Sequence, residues 1–148
     1  MKIYAGSDHG GFDLKQMLVH YLDKKRGYDV EDVGDTAPDP QDDYPQVAQK
    51  ACHKLLTSED DEPRAILICR GGQGMSMAAN RFKGIRAAVC WDHESARKAR
   101  EDNDSNVLCL PADQLSVQEV KDIVETWLET PFSRAARHSR RIQELDQF

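Results

Sequence analysis

Three observations in this sequence predict an α/β protein, a three-layer α/β/α Rossmann-like fold around one five-stranded parallel sheet. Five short apolar runs alternate with stretches whose apolar residues recur at helical spacing, and strands that alternate with helices pair in parallel through right-handed crossovers, with helices on both faces. The run Ala65-Ile-Leu-Ile68 shows no polar alternation, as befits a strand buried on both sides. No linker, repeat or low-complexity segment interrupts residues 1–148, so a single domain is expected.

Lys2 to Ala5 reads as the first strand, followed by the loop Gly6-Ser-Asp-His-Gly-Gly11. Leu14, Met17, Leu18, Tyr21 and Leu22 form one apolar helix face that Gly27 ends. Tyr28 to Val33 is the second strand. Gly34 to Asp43, polar with two prolines, is a loop. Tyr44-Pro45 opens a helix with Val47, Ala48, Ala51, Cys52 and Leu55 inward, and Ser58 to Pro63 is an acidic turn. The third strand comes next, then glycines at 71, 72 and 74 and a helix from Met75 to Arg81. Gly84 to Cys90 is the fourth strand. Ser95 to about Arg100 has helical propensity, and Asn103 to Asn106 is a break. Val107 to Leu110 is the fifth strand, and Val117, Val120, Ile123, Val124, Trp127 and Leu128 mark a long amphipathic helix. Pro131 restarts the chain into a last helix ending near Phe148.

Composition narrows the function. A net charge of -6 argues against a general nucleic-acid or anionic-membrane binder. Met1-Lys-Ile-Tyr-Ala enters a strand directly and no long apolar run follows, so neither signal peptide nor membrane span is read, and the cytosol is expected. Cys52, Cys69, Cys90 and Cys109 lack C-x-x-C spacing. Free thiols are therefore expected rather than disulfides or a metal site.

The chemistry centres on Cys69-Arg70-Gly71-Gly72-Gln73-Gly74. A strand, a glycine loop and a helix start make a concavity of N–H groups that favours anions. A thiol beside a helix N-terminus has its thiolate stabilised and can act as base or nucleophile. The plain alternative is a small buried hydrophobe at a strand end. No Gly-Lys-Ser/Thr follows and the G-x-G-x-x-G pattern is incomplete, so nucleotide binding has little support. Ligands of such sheets bind at the carboxyl ends of the strands. That rule puts Asp8 and His9 on one rim with Cys69 and the glycines, along with Asp92 and His93, a helix cap and a surface residue. Arg134, Arg137, His138 and Arg141 fall at i, i+3, i+4 and i+7, one basic helix face suited to phosphate or carboxylate.

The sequence resembles the ribose-5-phosphate isomerase B and galactose-6-phosphate isomerase family over nearly its whole length. The resemblance lies in Gly6-Ser-Asp-His-Gly-Gly-Phe-x-Leu-Lys15, Asp43-Tyr-Pro45, Ile66-Leu-Ile-Cys69, Gly74-Met-Ser-Met-Ala-Ala-Asn80, Gly84-Ile-Arg-Ala-Ala88, Asn103-Asp-x-Asn-Val-Leu108 and Arg137-His-x-x-Arg141. It implies a sheet order of 2-1-3-4-5, no metal or other cofactor, a small-molecule sugar phosphate as substrate, and a homodimer or tetramer with sites between subunits. By the same resemblance Cys69 moves a proton between C1 and C2, and the amides from Arg70 to Gly74, through Gly71, Gly72 and Gln73, hold the enediolate oxygen. Asp8 and Asn103 bind sugar hydroxyls, Tyr44 lines the pocket, His9, Arg137 and Arg141 meet the phosphate, and His138 supports them.

The chain departs from the family pattern at three places. Cys69-Arg-Gly-Gly72 stands where Cys-Gly-Thr-Gly is common, Asp102 stands at the place of a ring-opening His, and Asp113 stands where an Arg commonly binds phosphate. Asp102 thus becomes the second catalytic candidate, with an open-chain substrate such as a tetrose phosphate as its corollary. Arg70 and Arg134 are candidates for the missing cation. A non-catalytic sugar-phosphate binder and a nucleotide-binding switch domain are the other classes this scaffold serves.

Overall fold

The computed structural model describes residues 1–148. Five strands, β1 (Lys2–Ser7), β2 (Asp29–Asp32), β3 (Arg64–Cys69), β4 (Ala87–Val89) and β5 (Val107–Pro111), form one parallel sheet. The helices are α1 (Phe12–His20), continued by a π turn over Tyr21–Lys25, α2 (Tyr44–Leu56), α3 (Gln73–Ala79), α4 (His93–Asn103), α5 (Val117–Glu129) and α6 (Ala136–Leu145).

The sheet order is β2-β1-β3-β5-β4, not the expected 2-1-3-4-5. Burial explains the exchange. Val107 to Pro111 are all buried, which suits a strand with neighbours on both sides, whereas Ala87, Ala88 and Val89 are half-buried and suit an edge. The crossovers accommodate it by alternating faces. Steps toward the β2 edge, β1 to β2 and β4 to β5, pass through α1 and α4, and steps toward the β4 edge pass through α2 and α3. The first pair of helices packs on one core and the second pair on the other, as crossovers of a single hand require.

The period of two along β3 divides its residues between these cores. Ile66 and Ile68 join Leu18, Leu22, Val124 and Trp127 on one face, while Ala65, Leu67 and Cys69 join Val47, Ala51 and Met75 on the other. Trp127 is fully buried, and its Nε1–H donates to Ser105 Oγ at 2.7 Å. Burying an aromatic of this size contributes on the order of 3 kcal/mol.

Several element ends differ from expectation. Helix α4 continues past Arg100 to Asn103 because Asp104, in the left-handed region at φ 46°, ends it and donates its N–H back to Arg100 O. Helix α6 starts at Ala136 rather than near Pro131. Arg134 precedes it with φ 55°, so it shares no helix face with Arg137, His138 and Arg141 and sits in no first turn. Asp92 caps α4 through a capping box with Ser95, as its sequence position suggests.

Candidate active site

The carboxyl ends of β1 and β3 lie side by side, with Ser7 in register with Ile68, and this brings Asp8, His9 and the Cys69 loop together. Gly11 makes the approach possible, since a Cβ there would stand 2.7 Å from Ile68 O. Gly10 does the same toward Arg70, whose Cγ would be 2.5 Å from a Cβ. Cys69 is buried, and the N–H of Gly72 donates to its sulfur at 3.1 Å. That N–H is therefore turned to the sulfur and not to the open rim, so of the expected oxyanion donors Gly72 is already occupied. Gly72 reaches this position at φ 71°, where a Cβ would stand 3.2 Å from both Leu110 C and Pro111 N. It is the N-cap of α3, and the first-turn N–H groups of Gln73, Gly74 and Met75 have no acceptor within the helix.

The Asp8 carboxylate accepts from Gly10 N–H at 2.9 Å. Burial pushes its pKa above the ordinary value against that hydrogen bond. His9 Nδ1 meets Asp42 Oδ1 at 2.6 Å, and the His9 main-chain N–H donates to the same oxygen at 3.2 Å. The Asp42 hydrogen bond raises the His9 pKa from 6.5. Tyr44, half-exposed at the start of α2, lays its ring against α3 where Gly74 leaves room, since a Cβ at Gly74 would be 2.8 Å from the ring carbon Cζ. Arg70 is exposed on this rim and reaches Asp113 Oδ2 at 3.5 Å, while Asp113 N–H donates to Arg70 O at 3.1 Å.

Asp102, Asn103, Arg137, His138 and Arg141 lie elsewhere. Helix α4 leaves the carboxyl end of β4 and runs back about 16 Å, so its last residues stand at the amino edge of the sheet. There Arg86, just before β4, donates to the carbonyls of Asn103 and Asp104. Asp102 Oδ1 is 3.7 Å from His138 Nδ1, and its Oδ2 is 3.6 Å from Lys98 Nζ. Arg137 Nε donates to His138 Nε2 at 3.1 Å, which puts the ring proton on Nδ1, 2.8 Å from Ser133 Oγ. Arg141 is exposed and makes no ion pair within the chain. The strand β3 separates this cluster from Cys69 by about 17 Å.

Two contributors were not singled out from the sequence. Asp42 lies in a stretch read only as a polar loop, and its pairing with His9 spans 33 positions. Lys15 is fully buried, donates to Asp32 at 2.9 Å and to Asp35 O at 2.8 Å, and so pins the start of the loop that carries Asp42. The one available signal was a lysine on the inner face of an amphipathic helix. No three His, Cys, Asp or Glu side chains converge to hold a metal ion, and no helix is long and apolar enough to cross a membrane.

Residues 3–145 match the family model described as Ribose/Galactose Isomerase. Ribose-5-phosphate isomerase B of Mycolicibacterium paratuberculosis is 36% identical over 148 residues, covering 100% of this chain and 91% of that protein. A ribose 5-phosphate isomerase structure from Thermotoga maritima superposes with a TM-score of 0.93 at 42% identity, covering 99% of this chain and 98% of its own. Ribose-5-phosphate isomerase B of Mycoplasma genitalium, solved with bound ribulose-5-phosphate, gives a TM-score of 0.92 at 36% identity over 99% and 94%.

Proposed function

The chain belongs to the ribose/galactose isomerase family, and we propose that it interconverts an aldose phosphate and its ketose through an enediolate, with Cys69 as the base. The observation that carries this reading is the Gly72 N–H at 3.1 Å from the Cys69 sulfur, beside Asp8 and the open first turn of α3. In the aldose direction the sulfur takes the proton from C2, the electron pair forms the C1–C2 double bond, and the carbonyl oxygen becomes the enediolate oxygen. The C2 hydroxyl proton passes to the C1 oxygen, and the same sulfur returns the first proton to C1 as the carbonyl re-forms at C2. The N–H groups of Gln73 and Gly74 meet the developing oxyanion, each such donor being worth about 3 kcal/mol. These residues suffice for the proton transfer without a metal, so turnover should survive chelation.

Half of the proposed site comes from a second copy. Asp102, Asn103, Arg137 and Arg141 stand at the opposite sheet edge from Cys69, so they serve that centre only from a partner in a homodimer or tetramer. His9 with Asp42 on one chain and Arg137 and Arg141 on the other would then grip the phosphate. Arg70 is the cation on the Cys69 rim, partly neutralised by Asp113. Four free thiols fit a reducing cytosol.

The substrate is an open-chain sugar phosphate in this reading. An imidazole readily supplies a proton to a furanose ring oxygen near neutral pH, and an ordinary carboxylate does not. A tetrose 4-phosphate cannot close a furanose, because the required hydroxyl is esterified. The test of the reaction class is turnover in heavy water: deuterium should enter the carbon next to the carbonyl. Binding without label would reduce the protein to a sugar-phosphate binder.

A further inference from the structure

A cavity of about 520 Å³ opens at the amino edge of the sheet, where the end of α2, the start of β3 and the segment after α5 meet. That size suits a small metabolite. It contains none of Cys69, Asp102, Arg137, His138 or Arg141. Four arginines line it, Arg64, Arg86, Arg100 and Arg134. Two are already satisfied, since Arg100 and Arg86 hold the two oxygens of Asp104 at 2.7 and 3.2 Å.

Arg64 is satisfied only in part, its Nη1 donating to Pro63 O at 3.2 Å, and Arg134 has no such partner. Arg64 is only 9% exposed, and its Nε has no hydrogen-bond partner. Its nearest acid, Glu62, is 4.0 Å away with its carboxylate mostly in solvent. Arg134 is exposed in a left-handed turn and makes no ion pair within the chain. Glu129, also in the wall, is engaged by Arg26 at 2.6 Å. A buried guanidinium N–H left without an acceptor costs stability, and fixed donors of this kind are met by an oxyanion. Burial first, and then the nearby Arg100, hold the Arg64 pKa below its usual value, a conflict that a bound anion relieves.

We propose that this cavity is a second anion site, distinct from the isomerase centre, that takes a small phosphate-bearing metabolite on Arg64 and Arg134. Two guanidinium groups with unused N–H donors match a phosphate dianion better than a single carboxylate. Leu55, Leu128 and Phe132 offer an apolar wall for the rest of the molecule. Occupancy stabilises the folded chain by mass action.

The probe is inorganic phosphate, added to the full-length protein and to the Arg137→Ala variant, in which the proposed substrate phosphate site is weakened. The readout is the Arg64 Nε–H resonance, identified by its loss in Arg64→Lys. It should shift saturably in both proteins, and Arg134→Gln, a surface change, should raise the apparent dissociation constant at least fivefold. Succinate, the carboxylate arm, should shift it only at higher concentration. The proposal is overturned if the resonance stays fixed while phosphate saturates the chain elsewhere, if it responds equally in Arg134→Gln, or if succinate binds more tightly than phosphate.

Discussion

His9 and Asp42 share a hydrogen bond of 2.6 Å across 33 positions of chain, and the same Asp42 oxygen also accepts the His9 main-chain N–H. The pairing favours the imidazolium, so the folded pKa lies above 6.5. Its stabilising effect is complete below the unfolded value and is lost as pH rises through the raised folded value. If this cation grips phosphate, the Michaelis constant should rise over the same window. Asp42→Asn should move both the His9 NMR titration and that inflection to lower pH. An unmoved His9 midpoint would remove Asp42 from the account.

Cys69→Ala should abolish nearly all turnover while substrate affinity stays within a few-fold, because a base acts mainly in the transition state. Acid–base catalysis is typically worth about 10²–10⁴-fold. A variant that retained more than about a tenth of kcat would exclude the proton-transfer role.

Arg137→Ala or Arg141→Ala should weaken a phosphorylated sugar far more than the unphosphorylated sugar, by about 1.5–3 kcal/mol for a charge-assisted contact. Calorimetry on both ligands measures the difference. Equal losses would show that α6 plays a structural part only.

Two glycines of the site should respond in opposite ways to alanine. At Gly11 a Cβ meets the main chain of Ile68, which cannot step aside, and Gly11→Ala should lower stability by about 1–3 kcal/mol. At Gly74 the Cβ meets only the outer ring atoms of Tyr44, and the helix gains up to about 1 kcal/mol from alanine. Gly74→Ala should therefore keep or raise the melting temperature while displacing Tyr44 and raising the Michaelis constant several-fold. A fall in melting temperature equal to that of Gly11→Ala would show the ring to be fixed.

Wild-type kcat/KM should favour erythrose 4-phosphate over ribose 5-phosphate, and Asp102→His should raise the pentose value selectively. The open-chain reading fails if the wild type handles the pentose phosphate at least as well, or if the histidine brings no selective gain.

The sequence made the strands and the Cys69 rim legible because each rests on local pattern: an apolar run, a glycine loop, a helical period. Sheet order was not legible, since which strand β3 takes as its neighbour depends on relative burial of β4 and β5, and both read as short apolar runs. Arg134 was misplaced because its spacing continues the helical period while its left-handed backbone breaks it. Asp42 escaped for a different reason. Its partner is distant in sequence, and nothing within the loop marks one aspartate among several.

The exchange of β4 and β5 also has a consequence for the chain as it leaves the ribosome. Strand β3 is apolar on both faces, and its outer edge is meant for β5. The strand made next, β4, docks only on β5. Until residue 111 has emerged, the nascent sheet β2-β1-β3 carries an unpaired hydrophobic edge. Such an edge is a template for pairing with other chains, so slow translation between residues 70 and 107 should favour aggregation, and a chaperone that shields β3 during that interval should raise the soluble yield.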